Sequence, residues 1–351
     1  MNLKQIDAFN SDITEMLAGG NVSRLDFLKN KQIFISGASG FVGKWIIGLI
    51  NFLNENHSSN IQVIAHSRRM NSVAVEFPEV FNKKNIKLLQ GDIKNLSEID
   101  RDVSYVIHLA GTPDNREHAS DPVRVMNDII TGTNQILNAS TRLDNLANFL
   151  QYSSGLVYGM QPYSSENIKE ESFYGLSCSS LNSTYAESKR AAESMAQSYR
   201  SSFKIPLTVL RPFAFIGPYQ SLERPWAINN FIRDGLASQP IRIIGDEETV
   251  RSYMYPTEMA FWTLLALSNK TSGASFNIGS DDGKSLRATA QIVDQNFDGK
   301  SGIVSTVPVH SGLLTKFLPS ISKFESTFNV KLKIDTKTAI EKSIRWYRLG
   351  R

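Results

Sequence analysis

Three residues have the types and the spacing to move a proton: Ser154, Tyr185 and Lys189. Tyr185-Ala-Glu-Ser-Lys189 lies in a stretch of helical character, and positions four apart share a helix face, so phenol and ammonium point the same way. A free tyrosine, with a pKa of about 10, is a poor base at neutral pH. A cation alongside favours the phenolate and is expected to lower that pKa, which equips the pair to take and return a hydroxyl proton. Ser153 and Ser154 end the preceding strand-like run, where a serine hydroxyl can hold the oxygen whose proton moves. Alone, a Tyr-x-x-x-Lys spacing describes a surface pair as well as a catalytic one. What precedes it in the chain decides its weight.

Upstream lies Gln-Ile-Phe-Ile-Ser-Gly-Ala-Ser-Gly-Phe-Val-Gly, residues 32–43. Ile33 to Ser36 read as a short buried strand. Gly37, Gly40 and Gly43 follow at a spacing of three, and Trp45, Ile46, Ile47, Leu49, Ile50 and Leu53 then recur at helical spacing. Strand, glycine turn and helix is the setting of a dinucleotide site. A diphosphate needs backbone N–H donors at close range and the positive end of a helix, and glycines clear side chains from that approach.

The elements that must position these groups alternate. Strands are expected at 61–66, 86–89, 103–109, 148–153 and 207–210, with long helices at 121–140 and 184–203; Pro122 is tolerated in the first turn of the former. Strands alternating with helices imply an α/β fold with a parallel, doubly wound sheet. The second strand ends in Ser67-Arg68-Arg69. An acidic residue near here suits the ribose hydroxyls of NAD and arginine suits a 2′-phosphate, so the pair leans toward NADP, against the alternative of two solvated loop arginines. Beyond Arg211-Pro212 prolines become frequent. Helices are expected at 226–238, 257–268, 285–296 and 335–347, and short strands at 241–244, 252–255 and 274–278, as a smaller mixed α/β substrate-binding domain over the strand ends. Residues 1–30 form an added helical segment, with Ile6, Phe9, Ile13, Met16 and Leu17 facing the main body before Gly19-Gly20.

Composition narrows the classes. The 351 residues suffice for a large core, and 38 basic against 34 acidic side chains leave a net charge of +4 with no basic face for nucleic acid. One cysteine, Cys178, excludes an internal disulfide framework and suits a reducing cytoplasm. Lys4, Asp7, Asp12 and Glu15 interrupt the first twenty residues, so no signal-peptide core is read there, and no apolar run is long enough to span a membrane. His57, His66, His108, His118 and His310 show no metal-ligand spacing, and His108 reads as a packed strand-end residue. No Gly-x-Ser-x-Gly elbow is present.

Taken in order, Gly37-Ala-Ser-Gly-Phe-Val-Gly43, Gly91-Asp92-Ile93, His108-Leu-Ala-Gly111, Asn127 with Gly132-Thr133, Ser153-Ser-Gly-Leu-Val-Tyr-Gly159, Tyr185-Ala-Glu-Ser-Lys189 and Arg211-Pro-Phe with Gly217-Pro218 resemble the extended short-chain dehydrogenase/reductases, the nucleotide-sugar epimerase/dehydratase family. The resemblance covers nearly the whole chain from Lys31. It implies a Rossmann-type domain at 31–211 and a mainly substrate-binding domain at 212–351, with some segments returning to the first. It implies NAD or NADP held by Gly37, Ser39, Gly40, Phe41, Val42 and Gly43 at the diphosphate, with Ser67 and Arg68 at the adenosine ribose. Asp92 and Ile93 would flank the adenine, and Leu109, Ala110, Gly111, Asn127, Tyr185, Lys189, Pro212 and Phe213 would complete the cofactor site. Thr112, Ser154, Asn229 and Arg251 would meet a nucleotide-diphosphate sugar, Arg251 at its diphosphate, with hydride passing at C4. It further implies a homodimer through the helices of Asn127 and Tyr185, with Ala186, Ala191, Ala192 and Met195 as seam candidates, and a role in surface-polysaccharide precursor synthesis.

Two departures narrow the reaction. Where 4,6-dehydratases of this family carry an Asp-Glu pair after the catalytic Ser/Thr, and the decarboxylases keep the glutamate, this chain has Gly155-Leu156, which cannot move a proton. Epimerase or 4-ketoreductase is therefore the first expectation, dehydratase or decarboxylase the alternative, and a non-catalytic dinucleotide-binding sensor or scaffold the reading from another class. The second departure is Ala214, where the family often has a sugar-nucleotide-binding asparagine; Asn229 and Asn230 are candidates to replace it, against a plain helix-start role.

Overall fold

The computed structural model describes residues 2–268, 272–299, 302–305 and 314–350. Seven parallel strands make the main sheet: β1 (Gln32–Ser36), β2 (Gln62–Ser67), β3 (Ile86–Gln90), β4 (Val103–His108), β5 (Asn148–Tyr152), β6 (Leu207–Pro212) and β9 (Ala274–Ile278). Their order is β3-β2-β1-β4-β5-β6-β9, so the winding reverses between β1 and β4. A doubly wound sheet opens its ligand crevice at that reversal, beyond the carboxyl ends of the strands. β9, from the C-terminal part of the chain, pairs in parallel with β6 from Thr208↔Ala274 to Pro212↔Ile278.

One face of the sheet is covered by α2 (Phe41–His57), α3 (Met70–Glu76), α4 (Pro78–Phe81), α9 (Pro256–Leu265) and α11 (Ser322–Phe328), packed on Ile33, Ile35, Val63 and Ile107. The other face carries α6 (Pro122–Ser140) and α7 (Thr184–Phe203), packed on Phe34, Val106, Phe149 and Val209. Strands so covered on both sides must be apolar throughout, and β4 is buried at every residue. The long helices lie where periodicity put them: Thr184–Phe203 agrees residue for residue, and Asp121 caps α6 by accepting from the Arg124 N–H, with Pro122 at the first position.

The smaller domain has its own core, in which α8 (Ala227–Leu236), β7 (Ile241–Ile243), α10 (Leu286–Gln295) and α12 (Thr336–Leu349) meet through Ile228, Phe231, Ile232, Val293 and Ile340. β7 pairs with β11 (Ile303–Ser305), and β8 (Val250–Arg251) lies between β10 (Lys284–Ser285) and β12 (Lys316–Phe317). The strand expected at 252–255 is thus β8, two residues earlier; Tyr255 caps α9, and Met254 makes only a single bridge to Phe215. α3, α4, α11 and the six-residue α5 (Asn115–Ser120) were not expected. They are short, and α5 has no buried residue, so no apolar period announces it.

α1 (Leu3–Leu17) buries Phe9, Ile13, Met16 and Leu17, as its pattern implies, and packs on α2, α9 and α12. The Phe9 ring lies against Gly48 of α2 and 4.4 Å from the Trp45 ring.

Candidate active site

Gly37 takes φ +70°, which glycine adopts without strain, and a side chain there would reach the Ala110 nitrogen at 2.8 Å. A side chain on Gly43 would strike the Ala38 carbonyl, so the turn and the first coil of α2 close-pack backbone on backbone. Gly40 is the N-cap of α2 and supplies no side-chain acceptor, which leaves the first-turn N–H groups of this 17-residue helix open to an anion. Ser39, Phe41 and Val42 lie half-buried around that end. At the tip of β2 the Ser67 hydroxyl and His66 Nδ1 are buried without a partner among the described residues. A turn with no room for side chains at Gly37 and Gly43, an uncapped helix end and orphaned polar atoms at the next strand tip together fit a dinucleotide.

The glycine turn and the proton-moving residues share one crevice. Gly37 abuts Ala110; Gly111, at the same strand end, would place a side chain 3.3 Å from Lys189 Nζ. Lys189 donates to the Tyr152 carbonyl at 2.9 Å, at the end of β5, beside Ser153 and Ser154. Ser154 stands near enough to the Tyr185 phenol to oppose the rise in its pKa, and accepts from the Leu156 N–H at 3.1 Å. Ser154, Tyr185 and Lys189 therefore come together as the spacing implies.

Their electrostatics do not follow the simple expectation. Burial pushes the Tyr185 phenol up to about 12, opposed by Ser154. Burial lowers Lys189 to about 8, partly offset by Glu193 one helix turn on. Nζ lies 5.9 Å from the centre of the phenol ring and spends a proton on a carbonyl. Desolvation outweighs the neighbouring cation, so the phenol of the free protein is a weaker acid than expected.

The other sequence candidates divide. Asp92 caps the turn at Ile93–Asn95, accepting from the Lys94 N–H at 3.0 Å, and Ile93 is buried against Gly132. Leu109, Ala110 and Gly111 line the end of β4, and Thr112 follows, its hydroxyl donating to Glu117 at 2.9 Å. Arg68 is exposed and pairs with Asp128 at 3.3 Å, while Asp128 also takes Lys94 at 2.5 Å. Asn127 is on the exposed face of α6, accepting from Thr131 at 2.7 Å; the buried residues of that stretch are Val125 and Ile129, packed with Tyr185. Asn229 is fully buried, but its amide is spent on the Gln220 side chain and the Ser221 and Arg224 carbonyls, so it holds a loop and has nothing left for a sugar. Pro212 ends β6 in register with Ile278, and Phe213 packs on Gly155, Gly279 and Phe317 as an apolar floor.

Arg251 sits at the end of β8 with neutral partners only, donating to the Val250 carbonyl at 2.8 Å and to the Thr315 hydroxyl at 2.9 Å. A largely buried guanidinium with no carboxylate partner among the described residues suits an incoming anion. Ala186 and Ala192 face inward, so of the proposed seam residues Ala191 alone is exposed; Val123 and Met126 are the exposed apolar residues of α6. His108 bonds to Ser36 and Thr133 and is a packed residue. His310 lies outside the described residues, among which no metal-binding cluster occurs and no helix is long and apolar enough to cross a membrane. Sequence reasoning missed His118, whose ring lies flat on Tyr185, because α5 gives no periodic signal.

The chain is 23% identical over 321 residues to UDP-glucuronic acid decarboxylase 1 of Arabidopsis thaliana, covering 91% of this chain and 70% of that one. It is 24% identical over 321 residues to a UDP-glucuronate 4-epimerase of Thermodesulfobacterium geofontis, covering 89% of this chain and 94% of that one. In fold it resembles the crystal structure of UDP-glucuronic acid 4-epimerase from Bacillus cereus in complex with UDP-glucuronic acid and NAD, with a TM-score of 0.77 and 23% identity over 91% of this chain and 100% of that one. The model of the NAD dependent epimerase/dehydratase family matches residues 33–279, from the first strand past the last strand of the main sheet. With its glycine turn, serine-tipped strand and Tyr-Lys helix in that order, this chain belongs to the NAD-dependent epimerase/dehydratase family.

Proposed function

We propose that this protein inverts C4 of a nucleotide-diphosphate hexose with NAD as a recycled cofactor. The observation that carries the reading is the Ser154, Tyr185 and Lys189 set beside Gly111, with no acid or base following the serine. The first-turn N–H groups of α2 and Gly37, Gly40 and Gly43 would hold the cofactor diphosphate, and Ala110, Gly111 and Lys189 the nicotinamide ribose. Bound NAD supplies a hydride acceptor and donor. Ser154 would hold the C4 oxygen, and Tyr185, once it has lost its own proton against the burial that raises its pKa, would take the hydroxyl proton as the carbinol becomes a ketone and return it when hydride is delivered to the other face. Arg251 would clamp the sugar-nucleotide diphosphate.

Gly155 supports inversion over dehydration or decarboxylation. A side chain there would meet Phe213 at 2.8 Å and Phe317 at 2.9 Å, so an acid has no room, and Leu156 beside it is apolar. The pairing of Arg68 with Asp128 supports NAD over NADP. One observation favours a second reading, an NADPH-dependent 4-ketoreductase: Arg69 is exposed with no ion-pair partner among the described residues and could serve a 2′-phosphate.

The test is product identification by NMR after incubation with UDP-glucose, UDP-N-acetylglucosamine and UDP-glucuronate, alongside NADPH consumption with a 4-keto sugar nucleotide. C4 epimers and a drop of roughly 10²- to 10⁴-fold in Tyr185→Phe are expected. A dehydrated or decarboxylated product, or turnover that survives Tyr185→Phe, would overturn the proposal.

A further inference from the structure

An aromatic side chain outside the Ser154, Tyr185 and Lys189 set lies flat on the phenol. The His118 and Tyr185 rings are 4.2 Å apart at their centres and inclined by 13°. His118 Nε2 is 2.8 Å from the Thr112 carbonyl, which only accepts, so Nε2 carries the proton and the ring plane is fixed.

The turn that presents this ring is held by polar bonds alone. α5 buries no residue. Asp114 accepts from the Arg116 N–H at 3.0 Å and so caps the helix. Thr112 donates to Glu117 at 2.9 Å, and Arg124 of α6 reaches the other oxygen of Glu117 at 3.1 Å. The Asp114 carboxylate is nearly buried and takes Arg224 at 2.5 Å. Arg224 belongs to the loop before α8, whose carbonyls at 221 and 224 are gripped by Asn229. A line of contacts thus runs from the second domain through Arg224 and Asp114 to an imidazole resting on the phenol.

We propose that His118 is a positioning residue for Tyr185: it covers one face of the phenol, keeps its hydroxyl aimed at Ser154, and is itself anchored from the second domain by the Asp114–Arg224 pair. This rests on the proposed reaction for its consequence but not for its geometry. Proton transfer tolerates little misplacement, and a covered ring face keeps water off the phenol. Burial raises the pKa of Tyr185, and the imidazole covers one face of its ring; the charged groups of the same turn and its neighbours are Asp114, paired with Arg116, and Glu117, paired with Arg124.

The experiment compares wild type, His118→Ala and His118→Phe, the last retaining a ring without the Thr112 bond. In His118→Ala, kcat for C4 inversion falls about 10- to 100-fold while KM for the nucleotide sugar stays within about twofold, and His118→Phe recovers most of the loss. Alkaline difference spectra of each variant against the same protein carrying Tyr185→Phe isolate one phenol. Its ionisation in His118→Ala begins about one pH unit lower than in wild type or His118→Phe, as expected when water reaches a buried group. An unmoved ionisation, or a loss confined to KM, would overturn the role. Should the wild type turn over no sugar nucleotide, the reaction proposed above fails, and the ionisation comparison still decides the place of His118.

Discussion

Lys189 is a buried ammonium bonded to one carbonyl, and in the proposed reaction its position would serve the chemistry at the expense of the fold. Burial sets its pKa at about 8 in the folded chain against 10.5 for the free side chain. Below pH 8 both folded and unfolded chains carry the proton, and the fold bears the full cost of burying the charge, on the order of 3 kcal/mol. Above pH 10.5 both are neutral and the cost is gone. Lys189→Met is therefore expected to melt higher than wild type at pH 7, with the gap closing between pH 8 and 10.5, while kcat drops by at least roughly 100-fold. Calorimetry and turnover on one preparation check both halves. His108 acts in the opposite sense on the acid side. Burial, with Lys189 and His66 nearby, lowers it from 6.5 to about 3. Its neutral ring joins Ser36 of β1 to Thr133 of α6. That stability is complete above pH 6.5 and drains away as pH falls toward 3, because only the unfolded chain binds the proton. The melting temperature is expected to fall steeply from pH 6.5 to 4, and less steeply in His108→Asn.

Among the elements, the glycine turn is the most exacting. A methyl group on Gly43 would lie 2.7 Å from the Ala38 carbonyl carbon, backbone that cannot swing aside. Gly43→Ala is expected to destabilise by roughly 1–3 kcal/mol and to weaken retention of the proposed dinucleotide at least about tenfold. Gly245→Ala, whose nearest neighbour would be Leu286 at an ordinary 3.6 Å, should change neither. Equilibrium dialysis and thermal melts of the two variants decide it. The turn was legible in the sequence because its glycines are the direct imprint of backbone contact. So were α6 and α7, each long enough to show its period, and the joining of Ser154 to Tyr185 followed once strand and helix were placed. α5 was not legible, since its residues Asn-Arg-Glu-His-Ala-Ser bury nothing and their order comes from ion pairs across the chain. Asn229 misled for a related reason: a polar residue at a helix start near a cleft looks like a ligand, and only the fold shows its amide already spent on the loop at 220–224. The expected fall in the Tyr185 pKa failed because spacing reports the neighbouring cation but not the loss of water.

Across the whole molecule, α1 is a clamp between the two domains. Asp12 is buried there, accepting from Tyr255 at 2.5 Å and from Lys342 of α12 at 2.8 Å, while Lys342 also reaches Glu15. Removing the acid leaves Lys342 with Glu15 alone and takes the acceptor from a buried phenol. Asp12→Ala is expected to cost about 1–3 kcal/mol, whereas Asp7→Ala, on the exposed side of the same helix, should cost almost nothing. Chemical denaturation of the two separates a buried tie from surface charge.

Trp45 gives this arrangement a further meaning. Its indole N–H donates to the Pro218 carbonyl at 2.9 Å, and its ring touches Phe9, Tyr219 and Tyr255. It stands one turn into the helix whose amino end faces the glycines, so a shift of that helix on loading would be expected to reach Pro218, in the loop after β6. The indole thus ties the cofactor-facing helix to the loop at Pro218 through one hydrogen bond and three aromatic contacts. Its fluorescence should therefore report nucleotide loading from a site that never touches the nucleotide.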